Sequence, residues 1–320
     1  MTIVFGPVPS RRLGTSLGIN NIPYKYCTYS CVYCQLGKTT NITIVRRDFY
    51  NPEKAVKDVK QIVSKLSERI DYITFVPDGE PTLDKNLGQT IRLLKREIDI
   101  PIAVITNGSL LWREDVLNDI IEADLISVKV DAGDEDTWRK INRPHQRLNF
   151  NKVLKGLNEL AKRFTGVLIT ETMLVKNLNT HRNIFEKVLD VLSVLTPHRA
   201  YIAIPIRPPT EEWVEAPSTT ELSELYNLAS SRLGKNRVHL LDYPEPSRFI
   251  MSESIDSVKE YVLSMIEVHP LSMDHLSHIL AKKNIDMERF LKELLDEDLI
   301  NIVEYKGRRF IVRKRKTELW

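Results

Sequence analysis

The sequence predicts an α/β chain: a partial (βα)6, TIM-like barrel over residues 1–250, followed by a small winged helix-turn-helix unit over 251–320. Three observations predict it. From about Asp71 to Tyr243, short β-rich runs alternate with amphipathic helical stretches, the pattern of right-handed βαβ units around a parallel sheet. Those β-rich runs are nearly continuously apolar, as strands covered on both faces require. After about Met251 the texture changes to three helix-period segments and a hairpin signal.

Taken in order, "TSLGIN" at 15 reads as a first strand. "DYITFV" at 71, "PIAVIT" at 101, "LISVKV" at 125, "GVLITETML" at 166, "AYIAIPI" at 200 and "RVHLLDY" at 237 follow it. The count is six or seven units, short of an eightfold barrel. Between the strands, Val56, Val59, Val63 and Leu66 recur at helical spacing. Val153, Leu157, Leu160 and Phe164 repeat the pattern, as do Phe185, Val188, Leu192 and Leu195. The Pro- and Thr-rich stretch 207–221 reads as a loop. In the tail, helices are expected over 254–267, 271–282 and 286–298, with Phe290, Leu291, Leu294 and Leu295 in the core. "NIVEY-KG-RRFIV" reads as two strands about a tight turn.

Composition narrows the function. The 320 residues hold three cysteines, Cys27, Cys31 and Cys34, crowded into eight positions. An odd cysteine count in a chain large enough to bury its own core is not a disulfide framework. The thiols are expected to be ligands or catalysts in a reducing, cytoplasmic compartment. The start of the chain lacks the basic-then-apolar pattern of a secretory signal, and no apolar run approaches the ~18 to 20 residues of a membrane span. A net charge of +3 says little about partners, so any polyanion-binding surface must be local.

Three thiolates constrain the metal. Structural zinc takes four ligands, and the first histidine after Cys34 is His145, so a zinc scaffold needs a remote fourth ligand. An iron–sulfur cubane fits better. It has four irons, and three thiolates leave one corner for another ligand, as catalytic metals keep an open position.

With this spacing, "CTYSCVYC" resembles the C-x3-C-x2-C signature of the radical S-adenosylmethionine (SAM) superfamily. "PDGEPTL" (77–83) resembles its Gly-Gly-Glu motif, with Asp78 in place of the first glycine. "ITNGSLL" (105–111), "SVKVDAGD" (127–134), "INRPH" (141–145), "ETMLVKNLN" (171–179) and "IPIRPP" (204–209) are expected at C-terminal strand ends, where barrel active sites are built. Together with "FGPVPSRRLGTSLGIN" they resemble the Fe–S oxidoreductases grouped with archaeal wyosine-tRNA synthase, over about residues 3 to 250.

The resemblance implies a 4Fe–4S cluster on Cys27, Cys31 and Cys34, with SAM chelated at the fourth iron. Reduction then yields a 5′-deoxyadenosyl radical that abstracts a hydrogen from substrate. By motif match, Gly79 and Glu80 are expected at the SAM amino group and Tyr33 near the adenine. Thr106, Asn107, Lys129 and Asp131 are expected at the ribose and carboxylate, and Glu171 and Arg207 in the same bowl. Plainer roles compete with these. Glu80 can end a strand in a turn, Asn107 can serve turn chemistry, and Asp131 can cap the helix after "DAGDED". Lys129, in an apolar strand, needs a partner. Arg11 and Arg12 read as a substrate-anion clamp or, by default, as solvated charges, and His145 as structural.

The chain has no further cysteine for an auxiliary cluster, and none in residues 1 to 26, where the archaeal wyosine synthase carries a second set. That departure argues against wyosine synthesis itself while leaving a nucleic-acid substrate open. The segment "YKGRRFIVRKRK" (305–316) carries Lys306, Arg308, Arg309, Arg313, Lys314, Arg315 and Lys316, a basic wing for an RNA or protein substrate. The preceding helix, "DMERFLKELLDEDL", is acidic and argues against reading a DNA major groove. The expected class is therefore a radical SAM enzyme with an RNA substrate such as tRNA, or a peptide or protein, and a flavodoxin- or ferredoxin-like electron donor. An Fe–S sensor that binds DNA through the winged helix is the competing class.

Overall fold

The computed structural model describes residues 3–66, 69–242 and 258–314. The chain opens with an antiparallel hairpin, β1 (Val4–Ser10) and β2 (Gly14–Ile19). Two short strands, β3 (Tyr26–Cys27) and β4 (Asn41–Ile42), pair in parallel and bracket the cysteine loop. Then strands and helices alternate: α1 (Pro52–Val63), β5 (Tyr72–Phe75), α2 (Leu87–Glu97), β6 (Ile102–Thr106), α3 (Glu114–Ile120), β7 (Leu125–Lys129), α4 (Glu135–Asn142), α5 (Phe150–Arg163), β8 (Val167–Met173), α6 (Arg182–Leu195), β9 (Arg199–Ala203), α7 (Thr219–Leu233) and β10 (Val238–Leu241). A single 3-10 turn, Pro81–Leu83, lies between β5 and α2.

The sheet runs β1-β2-β5-β6-β7-β8-β9-β10, and every neighbouring pair except β1 with β2 is parallel. This order never reverses. Right-handed crossovers that always step the same way place their helices on one face, unlike a doubly wound sheet. Successive helices pack side by side there, α1 on α2, α2 on α3, α5 on α6 and α6 on α7. The result is an α/β fold with a mostly parallel sheet, consistent with a TIM-like barrel. All seven strands read from the sequence are present, as a seven-stranded parallel run rather than six.

Local chemistry sets the helix ends. Asn51 caps α1 ahead of Pro52, Asn149 caps α5, and Ser218 with Glu221 forms a capping box on α7. Thus α7 begins inside the stretch read as a loop. The apolar stripes of α1, α5 and α6 bury Val59, Leu160 and Val188 against strand residues such as Ile73, Ile126 and Ile202. Full burial of each such side chain contributes roughly 1.5–3 kcal/mol.

Beyond residue 258 lie α8 (Val258–Val268), β11 (Leu271–Ser272), α9 (Met273–Ala281), α10 (Met287–Asp296), β12 (Ile300–Tyr305) and β13 (Arg308–Arg313). The three strands form an antiparallel sheet ordered β11-β13-β12. Lys306 and Gly307, both at positive φ, make the tight turn between β12 and β13. Two expectations need correction. The segment expected as a helix over 271–282 starts as a strand, because Leu271 and Ser272 pair with β13 and Ser272 then caps α9. Leu295 is exposed and Leu291 only partly buried; Phe290 and Leu294 carry the buried face of α10. The expected boundary at 250/251, the start of the helix read at 254, and Arg315 and Lys316 of the basic tail lie outside the described residues.

Strand β1 serves two cores. Val4 packs into the main core, whereas Phe5 and Val8 join Tyr261, Met265, Leu276 and Phe310's neighbour Ile311 in the C-terminal core. Tyr261 also donates its hydroxyl to the Pro7 carbonyl at 3.2 Å.

Candidate functional site

The cysteine loop lies at the C-terminal ends of the parallel strands. Backbone bonds fix it there: Glu80 N–H to the Tyr26 carbonyl (3.0 Å), Val32 N–H to Ile141 O (2.9 Å) and His145 N–H to Thr28 O (2.8 Å). Gly79 is required at this crossing. A Cβ on it would collide with the Tyr26 carbonyl, one residue before Cys27.

Each sulfur faces an N–H donor from a different part of the chain. The Lys25 ammonium lies 3.2 Å from Cys34 Sγ, the Asn107 amide 3.6 Å from Cys27 Sγ, and the Asn142 amide 3.4 Å from Cys31 Sγ. Burial, followed by the Glu80 charge, pushes the Cys27 thiol well up. Burial and then Asp131 push Cys31 up to about 12. Thiols in such surroundings keep their protons in neutral solution and yield them to a metal cation. Among the described residues no three Cys, His, Asp or Glu side chains converge on one metal ion. A cubane does not ask for that convergence, because each thiolate binds a different iron.

Glu80 is buried, and both its oxygens are engaged. Oε1 accepts from Thr82 Oγ1 (2.7 Å) and Thr106 Oγ1 (2.5 Å), and Oε2 accepts from the Asn107 N–H (2.8 Å). The same carboxylate caps the 3-10 turn. Its side chain thus joins the ends of β5 and β6, and Thr106 is spent on that latch and on the Gly108 N–H. Asn107 does two jobs. Its oxygen accepts from Ser109 N–H (3.0 Å) in a turn, and its amide reaches Thr28 (2.8 Å) as well as Cys27.

Asp131 is not the helix cap. Asp134 caps α4, accepting from Thr137 N–H at 2.9 Å. Asp131 instead receives the Tyr33 hydroxyl, the Asn142 amide (2.8 Å) and the Met173 N–H (2.8 Å). Tyr33 therefore turns its hydroxyl onto Asp131, while Lys129 sits 4.8 Å from its ring centroid. Lys129 has the partner its burial demands: its ammonium lies 2.6 Å from Glu171 Oε1. Arg12 completes the group from the β1–β2 turn, bonding Glu171 Oε2 and Ser127 Oγ (3.2 Å). Burial alone would raise the Glu171 carboxyl, but Arg12 and then Lys129 outweigh it and hold the group well below the usual range. Asn107, Lys129, Asp131 and Asn142 line one small cavity whose apolar wall includes Trp138 and Phe150.

Arg207 meets the cysteine loop: the chain runs on along the rim past the end of β9 at Ala203, and Arg207 donates to Gln35 Oε1, one position after Cys34, at 2.7 Å while also lining a second cleft. "INRPH" reaches the rim from the C-terminal end of α4, where Arg143 adopts a left-handed conformation, rather than from a strand end. Sequence reasoning missed Lys25, Arg12 and Asn142. Lys25 stood two positions before Cys27, and Asn142 lay inside a motif already noted; Arg12 gave no signal separating it from a solvated charge.

Comparison with known proteins identifies the family. The family model described as the radical SAM superfamily matches residues 21–188. A UPF0026 protein of Methanocaldococcus jannaschii is 45% identical over 318 residues, covering 99% of this chain and 98% of that one. Among solved structures, TYW1 with a lysine–pyruvate adduct bound is similar at TM-score 0.51 and 17% identity, over 68% of this chain and 73% of that one. A radical SAM methyltransferase from Sphaerobacter thermophilus is similar at TM-score 0.54 and 14% identity, over 71% of this chain and 65% of that one. A family match over more than half its length makes this chain a member of the radical SAM superfamily, and so an enzyme of SAM-dependent radical chemistry.

Proposed function

We propose that Cys27, Cys31 and Cys34 hold a 4Fe–4S cluster whose fourth iron takes SAM, and that the enzyme modifies an RNA substrate such as tRNA. The observation that carries this reading is the set of three partly buried cysteines, each sulfur met by one N–H donor, beside the cavity of Asn107, Lys129 and Asp131. When bound, the reduced cluster would supply one electron to the sulfonium of SAM, splitting it into methionine and a 5′-deoxyadenosyl radical able to take a hydrogen atom from substrate.

This chain's own residues position and shield. Lys25, Asn107 and Asn142 hold the three sulfurs by hydrogen bonds, the outer-shell role that tunes cluster potential. Glu80 acts through the backbone it latches: with its side chain spent on Thr82, Thr106 and Asn107, the peptide of Gly79 and Glu80 faces the SAM amino group. Lys129 and Asp131 flank the ribose and carboxylate. The apolar wall of Trp138 and Phe150 excludes water. In this reading the chain divides near residue 250 into a barrel and a winged helix, whose described part spans 258–314 and whose β12–β13 hairpin faces the substrate. A flavodoxin- or ferredoxin-like protein supplies the electron.

The test is direct. Anaerobically reconstituted protein with dithionite and SAM is expected to form 5′-deoxyadenosine, and Cys31→Ala is not. No 5′-deoxyadenosine from the wild type refutes the reading. Deuterium passing into 5′-deoxyadenosine from labelled RNA identifies the substrate; passage only from labelled protein replaces RNA with a peptide or protein.

A further inference from the structure

A second cleft lies between the chain after β9 and the C-terminal unit, and nothing in the cluster chemistry uses it. Arg207 stands on one wall; Ser272, Asp274, His275 and His278 of the α9 end and Arg308 of β13 stand on the others. Tyr305 pins the two sides, donating to the Pro205 carbonyl at 3.4 Å. Two guanidinium groups and two imidazoles thus face one space from three elements, against a single carboxylate. Guanidinium offers only donors, in a fork that fits phosphate oxygens. Two such forks, on Arg207 and Arg308, facing one space from different elements suit a phosphate group.

The cleft is also wired to the cysteine loop. Arg207 bonds Gln35, Thr210 Oγ1 donates to the Cys34 carbonyl at 2.8 Å, and the Glu211 N–H donates to Val32 O at 3.1 Å. One segment, 207–211, therefore forms a wall of the cleft and clasps the loop that carries Cys34. A ligand held in the cleft by an anionic group and also entering the site would be an extended chain, and a nucleic-acid backbone is one.

We infer that the cleft between Arg207 and Arg308 binds a backbone phosphate of a single-stranded nucleic acid. Its place as a substrate subsite rests on the proposed function above; the binding itself does not. Cluster-free protein is titrated with fluorescein-labelled single-stranded RNA of about ten nucleotides, with DNA of the same sequence, and with an oligoglutamate of equal charge, following anisotropy across salt. The nucleic acid is expected to bind and the oligoglutamate to bind at least about tenfold more weakly. Arg308→Ala, an exposed change expected to leave the melting temperature unaltered, should lower the log–log salt slope for nucleic acid by about 0.7. Arg308→Glu should weaken binding by about tenfold, and Lys283→Glu, the same charge change at the far end of α9, by no more than about twofold. Binding of RNA alone or of RNA and DNA alike supports the inference and names the source of the phosphate. Equal effects of Arg308→Glu and Lys283→Glu, equal binding of oligoglutamate, or no binding at all overturn it. Binding without SAM cleavage would remove the enzymatic reading and leave the cleft standing.

Discussion

Asn142 lies 111 positions from Cys31 in sequence, yet its side-chain amide donates to the Cys31 sulfur at 3.4 Å and to Asp131 Oδ2 at 2.8 Å. A single amide thus ties the cysteine loop to the end of β7. Asn142→Leu should leave both partners short of a donor in a buried setting, at a cost of roughly 1–3 kcal/mol. The urea midpoint should fall accordingly, and reconstituted protein should retain less iron. An unchanged midpoint with full iron would show the amide to be dispensable.

Removing Lys25 bears on the electron rather than on the fold. An ammonium beside a ligating sulfur favours the reduced, more negative cluster. Lys25→Met is expected to lower the reduction potential measured by EPR-monitored titration, with 5′-deoxyadenosine formation slowed at limiting reductant. A potential that stays or rises would contradict the contact.

The Arg12–Glu171–Lys129 group predicts a stability signature. Glu171→Gln leaves two cations facing a neutral amide in a mostly buried place, and breaking such a pair costs about 3–5 kcal/mol. The sign with pH follows from the lowered carboxyl. Its stabilisation is complete above the unfolded carboxylate value, near ~4.3, and is lost as pH falls toward the depressed folded value. The gap between wild type and Glu171→Gln in denaturant midpoint should therefore be widest at neutral pH and shrink in acid. In a double-mutant cycle, Arg12→Met combined with Glu171→Gln should cost less than the sum of the two.

Much of this was legible in the sequence. The seven parallel strands announced themselves because strands buried on both faces are apolar throughout, and the hairpin because Lys306-Gly307 suits a turn with two positive φ values. The cysteines stood out because the chain's three thiols fall within eight positions. What the sequence withheld were pairings across distance. It could not say that Asp134 rather than Asp131 caps α4, since both precede the helix by short steps. It gave no sign that Arg207 would meet Gln35, 172 positions earlier in the chain. Arg12 looked like any exposed arginine until the β1–β2 turn brought it to Glu171.

Gly79→Ala should separate fold from site. The added methyl collides with the Tyr26 carbonyl, so the turn after β5 and the start of the cysteine loop must part. The far-UV circular dichroism spectrum is expected to hold while iron content falls to less than about half. Wild-type protein should carry about four irons and no zinc per chain; a zinc-loaded protein would end the cluster reading.

The first strand has a practical consequence for anyone wishing to divide the molecule. Phe5 and Val8 are covered by the last sixty or so residues, while their neighbour Val4 faces the other way. Cutting the chain after β10 would leave an oily scar on the amino-terminal edge, and the severed tail would lack the two side chains that complete its interior. Fragments made at that point are expected to clump when kept apart and to recover solubility when co-expressed.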